Sequence, residues 1–373
     1  MPTLQFESLR KILPAIRDRA TALDRAGDWP YQDLRDLSAI GADRWFIPPE
    51  FGGEGIDPLE LHLRYEAIAS ASLSTALIVS QRDSAVGLIV GGDNADFRKT
   101  ALSELATGES FATIGIAQLT TSRQDGPPVL RATPSNDGFL LNGYIPWSTG
   151  AAQAKWVIAG AFVDPASENL LAKEARFKDS DSNEPRQILF ALPISSPGVT
   201  VQPPMPMVAL ASSWTTRIDC EDVLIDPSLI LRGPAAKVLT GRSKNLPNGQ
   251  AFLALGHCRG AINLIQEHDS DRARSVAEKF SEQWLALRTE LLELCQPGRE
   301  IDAGAAGPSL RGACNDLAIR ATHAAVALYK GSALLLDHPA QRLAREAMFL
   351  LVWSCPDAVT ACTVNVLAGD ATS

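Results

Sequence analysis

NGYIPWSTGAAQAKW, residues 142–156, sets a tryptophan, two hydroxyls and a small-residue bend within one short run. Its first half is β-prone and its second half is small and turn-forming, so it reads as a strand closing on a tight turn. The neighbouring runs share that texture. FATIGIAQL, GFLLNGYIPW, AKWVIAGAFV, QILFALPI, VTVQPP and TTRIDCEDVLI are short, β-prone and separated by Gly, Pro, Asn or Asp. That cadence predicts an antiparallel sheet or barrel over residues 111–233 rather than parallel βαβ units. The charged stretch VDPASENLLAKEARFKDSDSNEPRQ reads as a long solvated loop between two strands.

Helical periods flank this region. In DLRDLSAIGADRWFIP, Leu34, Leu37, Ile40 and Trp45 recur at intervals of roughly three to four, and Gly41 marks the end of the helix. IPPEFGGEGIDP is a turn cluster, and an Ala/Leu-rich helical segment follows until the paired glycines at 91–92. After residue 233 the helical period resumes in four segments, at 250–270, 273–295, 309–336 and 340–367, best buried as a bundle. The chain is therefore expected to be α+β: an N-terminal helical domain (1–110), a central antiparallel β-barrel or sandwich (111–233) and a C-terminal four-helix bundle (234–373).

Composition narrows the function. The 373 residues are 46% hydrophobic and 21% charged, with net charge −9. No Lys/Arg run is dense enough to neutralise a phosphate backbone, which argues against nucleic acid. The six cysteines form no CxxC pair and the five histidines are scattered, so no zinc site is expected. Sparse thiols fit a reducing compartment. The N-terminus lacks a signal-peptide core, and no apolar stretch is read as membrane-spanning, so the expected location is the cytoplasm.

The α, β, α order and three motifs resemble the acyl-CoA dehydrogenase family of flavoproteins. GADRWFIPPEFGGEGIDPLE is similar to the family's Gly-hydrophobic-Pro-Glu turn, and DGFLLNGYIPWSTGAAQAKWVIAGA to its L-N-G…W-I-T-N stretch. AVALYKGSALLLDHPAQRLAREA is similar to its A-V-Q-x-x-G-G…R-x-x-R-D-A run. The resemblance implies an FAD cofactor, with Trp147 against the flavin ring system, Thr149 near flavin N5 and Ser148 between them. A flavin needs an aromatic wall and a few fixed polar groups, which this pair supplies. A β-turn with a core tryptophan and a strand threonine fits the same letters. The family's T-E-P-x-x-G-S becomes LTTSRQDG, so Leu119, Thr120 and Thr121 keep only its start. Backbone amides holding a flavin tolerate such change, and a solvated turn needs no ligand. The Q-x-x-G-G motif becomes Ala327…Lys330-Gly331, where Lys330 is either a phosphate partner or a surface lysine.

The family dehydrogenates acyl thioesters by pairing a carboxylate base with hydride transfer to the flavin. The turn that usually carries that base is here Ser354-Cys355-Pro356, and a serine needs an activating partner. Asp357 and Glu346 are the acidic alternatives, provided that either projects into the pocket. Cys355 reads as an inert thiol and His257 as a hydrogen-bonded core or interface residue. Three readings follow: an FAD-dependent oxidoreductase acting on acyl-CoA or a similar small-molecule substrate, a flavin monooxygenase that needs no α-proton base, or a degenerate relative acting as a binding protein or scaffold. The resemblance also implies a homodimer or homotetramer built through the C-terminal helices, and a flavin-type redox partner.

Overall fold

The computed structural model describes residues 5–120, 127–164, 186–239, 249–296 and 303–369. The N-terminal part is helical. Helix α1 (Gln5–Ala26) and α2 (Tyr31–Ala39) precede the turn cluster, and α3 (Pro58–Ala71), α4 (Leu73–Val90) and α5 (Ala95–Leu105) follow it. Asp57 caps α3 by accepting from the Leu59 and Glu60 amides. Ser72 caps α4 and breaks the run from 58 to 90 into two helices. Gly41 is left-handed, at φ +86°, just past the end of α2. By length and composition α4 could cross a membrane, contrary to expectation, but 72% of it is buried within the protein.

Strands β1 (Ala112–Gly115), β2 (Leu130–Ser135), β3 (Gly138–Ser148) and β4 (Trp156–Val163) open the central region. Strands β5 (Gln187–Pro193), β6 (Val199–Val201), β7 (Thr216–Ile225) and β8 (Ile230–Ala235) complete it. They form one eight-stranded sheet in the order β6-β7-β3-β2-β4-β5-β8, with β1 paired to β4 off that path. The sheet is mixed, which corrects the antiparallel expectation: β1 and β2 both run parallel to β4. Of the loop expected at 163–187, residues 165–185 lie outside the described residues.

The C-terminal part contains α6 (Gly249–Gln266), α7 (Asp271–Leu294), α8 (Ala303–Tyr329), α9 (Pro339–Val352) and α10 (Asp357–Ala368). Two boundaries depart from the periodic reading. The segment expected to run to 336 leaves the α-helix at Tyr329, where Lys330 takes φ +56° and a 3-10 turn follows. The segment expected over 340–367 is two helices, because Ser354 takes φ +50° and Pro356 cannot continue α9. Helix α6 is buried on nearly every side against α3 and α8, and its core is continuous with the N-terminal helices. A second core lies within the sheet, and a third joins α4 and α5 to it.

Candidate active site

A cavity of about 1120 Å³ opens where the sheet meets the two sets of helices. Cavities for one drug-sized ligand span about 300–1,000 Å³, so there is room for a tricyclic ring and a second molecule beside it. Four helices line it with stripes of three-to-four spacing. Leu77, Ser80, Gln81, Ser84 and Leu88 come from α4, with Gly91 just past its end, and Leu61, His62 and Tyr65 from α3. The start of α6 adds Gly249, Gln250 and Leu253, and the end of α9 adds Arg345, Phe349 and Val352.

Trp147, Thr149 and Thr215 form the wall at the sheet end. Strict alternation along β3 would turn Trp147 inward with Ile145. It does not, because Ile145 pairs with Ile218 and Ser148 with Thr216, so three steps on β3 match two on β7. This bulge re-aims side chains, leaving Trp147 48% exposed and Ser148 buried. Ser148 Oγ donates to the Ile114 carbonyl at 3.1 Å, behind the wall. Thr149 Oγ1 lies 3.2 Å from Thr215 Oγ1, which lies 2.8 Å from Ser213 Oγ. Three hydroxyls thus form a chain ending at the cavity. Gly150 fixes the turn beneath them at φ +64°, where a Cβ would overlap the Trp29 ring. Trp29 packs against Phe111 and Trp214, and Trp214 Nε1 donates to the Gly27 carbonyl at 2.8 Å.

The other expected residues are dispersed. Thr120 lines the cavity, Leu119 packs under Gly160, and Thr121 lies outside the described residues. Lys330 and Gly331 are exposed after α8, away from the cavity. Ser354 lines the cavity, and its turn is clamped by Arg311, which donates to the carbonyls of Trp353 and Ser354. Asp357 is exposed at the start of α10 and does not reach the cavity. Nor does Glu346: it is buried in the helices, 2.8 Å from Arg342 Nη1 and 3.8 Å from His257 Nδ1. Burial raises its carboxyl. His257 Nε2 donates to the Leu343 carbonyl at 2.8 Å, and burial lowers its imidazole to about 4. Burial likewise raises the Cys355 thiol, which keeps it protonated beside Arg311.

Among the cavity residues that the sequence did not mark are Tyr65, Asp83 and His62. Tyr65 OH donates to Asp83 Oδ2 at 2.6 Å, and Arg82 Nη1 donates to Asp83 Oδ1 at 2.7 Å. Burial raises the Asp83 carboxyl. His62 Nδ1 bonds the Pro58 carbonyl at 2.6 Å. Only the three-to-four spacing of polar residues within an apolar helix could have marked this face, and it cannot say what the face meets.

Residues 7–109 match the model of the acyl-CoA dehydrogenase N-terminal domain. The probable acyl-CoA dehydrogenase YngJ of Bacillus subtilis is 24% identical, over 90% of this chain and 89% of its own. Butyryl-CoA dehydrogenase of Megasphaera elsdenii shares the fold with TM-score 0.77 at 18% identity, over 97% of this chain and 98% of its own. TdsC of Paenibacillus sp. A11-2, solved with FMN and indole, does so with TM-score 0.78 at 16% identity, over 99% and 98%. The fold is thus that of the acyl-CoA dehydrogenases and related flavin enzymes. Residues 7–109 match the N-terminal domain of the first group, and the near full-length relatives are enzymes of that type.

Proposed function

We propose that the chain is an FAD-dependent oxidoreductase that oxidises a carbon–carbon bond of an acyl thioester or similar small molecule in this cavity. The observation that carries the reading is the wall of Trp147 and the Thr149–Thr215–Ser213 hydroxyl chain, on a cavity large enough for ring and substrate. Trp147 supplies a flat apolar surface and Thr149 a fixed polar group, which is what an isoalloxazine ring requires. When bound, the flavin supplies hydride acceptance. Thr120 borders the same ring site, while Leu119 and Ser148 support its wall from behind. Phe349 of α9 and Ser354 in the turn after it line the same cavity.

Lys330 and Gly331 are exposed and do not line this cavity, and in an oligomer they would meet the cofactor of a second copy. The exposed Leu334, Leu335 and Leu336 that follow, 73%, 59% and 66% accessible, fit a homodimer or homotetramer. A flavin-type redox partner would accept the electrons taken from the substrate, and the sparse thiols favour the cytoplasm.

One observation favours a flavin monooxygenase instead. Among the described residues lining the cavity the carboxylate is Asp83, already bonded to Tyr65 and Arg82, and the turn after α9 presents Ser354. A monooxygenase needs no α-proton base. TdsC, solved with FMN and indole, shows the fold holding FMN. Anaerobic mixing of the FAD-loaded protein with butanoyl-CoA separates the readings. Bleaching of the yellow colour supports dehydrogenation. Reduction only by an external reductase, followed by oxygen uptake with substrate, supports the second reading. Protein that stays colourless after incubation with FAD or FMN overturns both.

A further inference from the structure

Apart from Gln81, the polar side chains that α3 and α4 present to the cavity have their hydrogen-bond donors engaged within the protein. His62 Nδ1 faces the Pro58 carbonyl at 2.6 Å; a carbonyl only accepts, so Nδ1 carries the proton. Its Nε2 is then a bare acceptor, and no described residue bonds it. Burial lowers this imidazole, which keeps it in that neutral form. Tyr65 spends its proton on Asp83 at 2.6 Å, leaving the phenol oxygen an acceptor. Ser80 donates to the Leu77 carbonyl at 2.8 Å and Ser84 to the Ser80 carbonyl at 2.7 Å. Their hydroxyl oxygens likewise keep only lone pairs. Gln81 is the exception on this wall, an amide that donates and accepts. Four side chains lining one chamber have therefore committed their donors within the protein and keep only acceptors to offer a ligand.

Apolar cavities that hold plain hydrocarbon do not carry such a wall, because each acceptor left dry is costly. We propose that the substrate carries hydrogen-bond donors, hydroxyl or amino groups, on the part that lies against His62, Tyr65, Ser80 and Ser84. This rests on the reading that flavin and substrate share the cavity, and it narrows the substrate from any acyl chain to a hydroxylated or aminated one. Sites built around hydrogen bonds discriminate strongly against partners that lack them. Gly249 belongs to the device: a Cβ there would overlap His62 Nε2, so glycine leaves the imidazole its place at the start of α6.

The test uses size-matched probes, cyclohexanol and cyclohexylamine against cyclohexanone and methylcyclohexane. Their affinities are measured by nuclear magnetic resonance on the protein as purified and again after FAD loading. The expected result is that the alcohol or the amine binds roughly tenfold more tightly than the ketone. That preference should shrink severalfold in Ser84→Ala, which keeps the helix, and in His62→Leu. The alcohol and the amine are separate arms that identify which donor is preferred. A ketone or hydrocarbon that binds as well as both donors, an unchanged preference in the two variants, or no binding of any probe overturns the proposal. Flavin uptake is read independently from colour, so failure of the flavin reading is distinguishable from failure of this one.

Discussion

Thr149 and Thr215 hold their side-chain oxygens 3.2 Å apart at the rim of the cavity, although 66 positions separate them in the chain. The bulge in β3 brings them together and leaves the Trp147 indole free beside them. If this wall receives the flavin, Thr149→Ala should weaken FAD binding roughly five- to tenfold through loss of one hydrogen bond. Trp147→Ala should weaken it by at least as much through loss of ring contact. Titration followed by flavin absorbance reads both, and unchanged affinity and spectrum in the two variants would remove the assignment.

Gly150 shapes the same turn without touching the ligand. Ala at this position meets both a left-handed backbone and the Trp29 ring, so Gly150→Ala should cost about 3 kcal/mol of stability. Urea unfolding is the check. A loss within the ~0.5 kcal/mol usual for surface positions would mean that the turn relaxes freely.

Arg342 and Glu346 are both buried and bonded to each other, and Arg342 Nε also donates to Thr21 Oγ1 at 3.1 Å. Removing one partner strands a charge in the interior. Arg342→Leu should destabilise by about 3–5 kcal/mol, while Arg342→Leu with Glu346→Leu should recover much of that. Equal losses in single and double variants, measured by chemical denaturation, would contradict this.

Burial holds His257 neutral in the native state down to about pH 4, against 6.5 in an exposed imidazole. Between these values the unfolded chain binds more protons than the native one. This residue's contribution is thus fully present above pH 6.5 and is lost as pH falls toward 4. The slope approaches about 1.4 kcal/mol per pH unit. His257→Gln keeps a donor for the Leu343 carbonyl and cannot titrate, so wild-type stability should fall faster than the variant's between pH 6.5 and 5. Parallel unfolding curves would contradict the assignment.

The fold was legible where a local signal is also a global one. Gly41, the 49–57 turn cluster and the strand cadence after 111 each mark a boundary by their own backbone preferences. Trp147 and Thr149 were legible as a pair because motif and turn chemistry agree. What stayed hidden depends on contacts between distant segments. The parallel pairing of β1 and β2 with β4 has no short-range signature. Thr215 and Ser213 join Thr149 only through the β3–β7 register. His62, Tyr65 and Asp83 lie in Ala/Leu-rich helices whose apolar residues dominate the periodicity, and their shared cavity exists only once α3 packs beside α4. Glu346 shows the reverse limit: its place at the aspartate of the R-x-x-R-D-A run allowed a pocket role that burial among Arg342 and His257 does not provide.

What occupies the cavity between sheet and helices decides the function. A crystal structure of the protein after FAD loading tests that most directly. The expected density is an isoalloxazine lying against the Trp147 indole, with one edge at the Thr149 hydroxyl and open space toward His62 and Tyr65. Flavin bound elsewhere, or a cavity that excludes it under saturating FAD, would contradict the assignment.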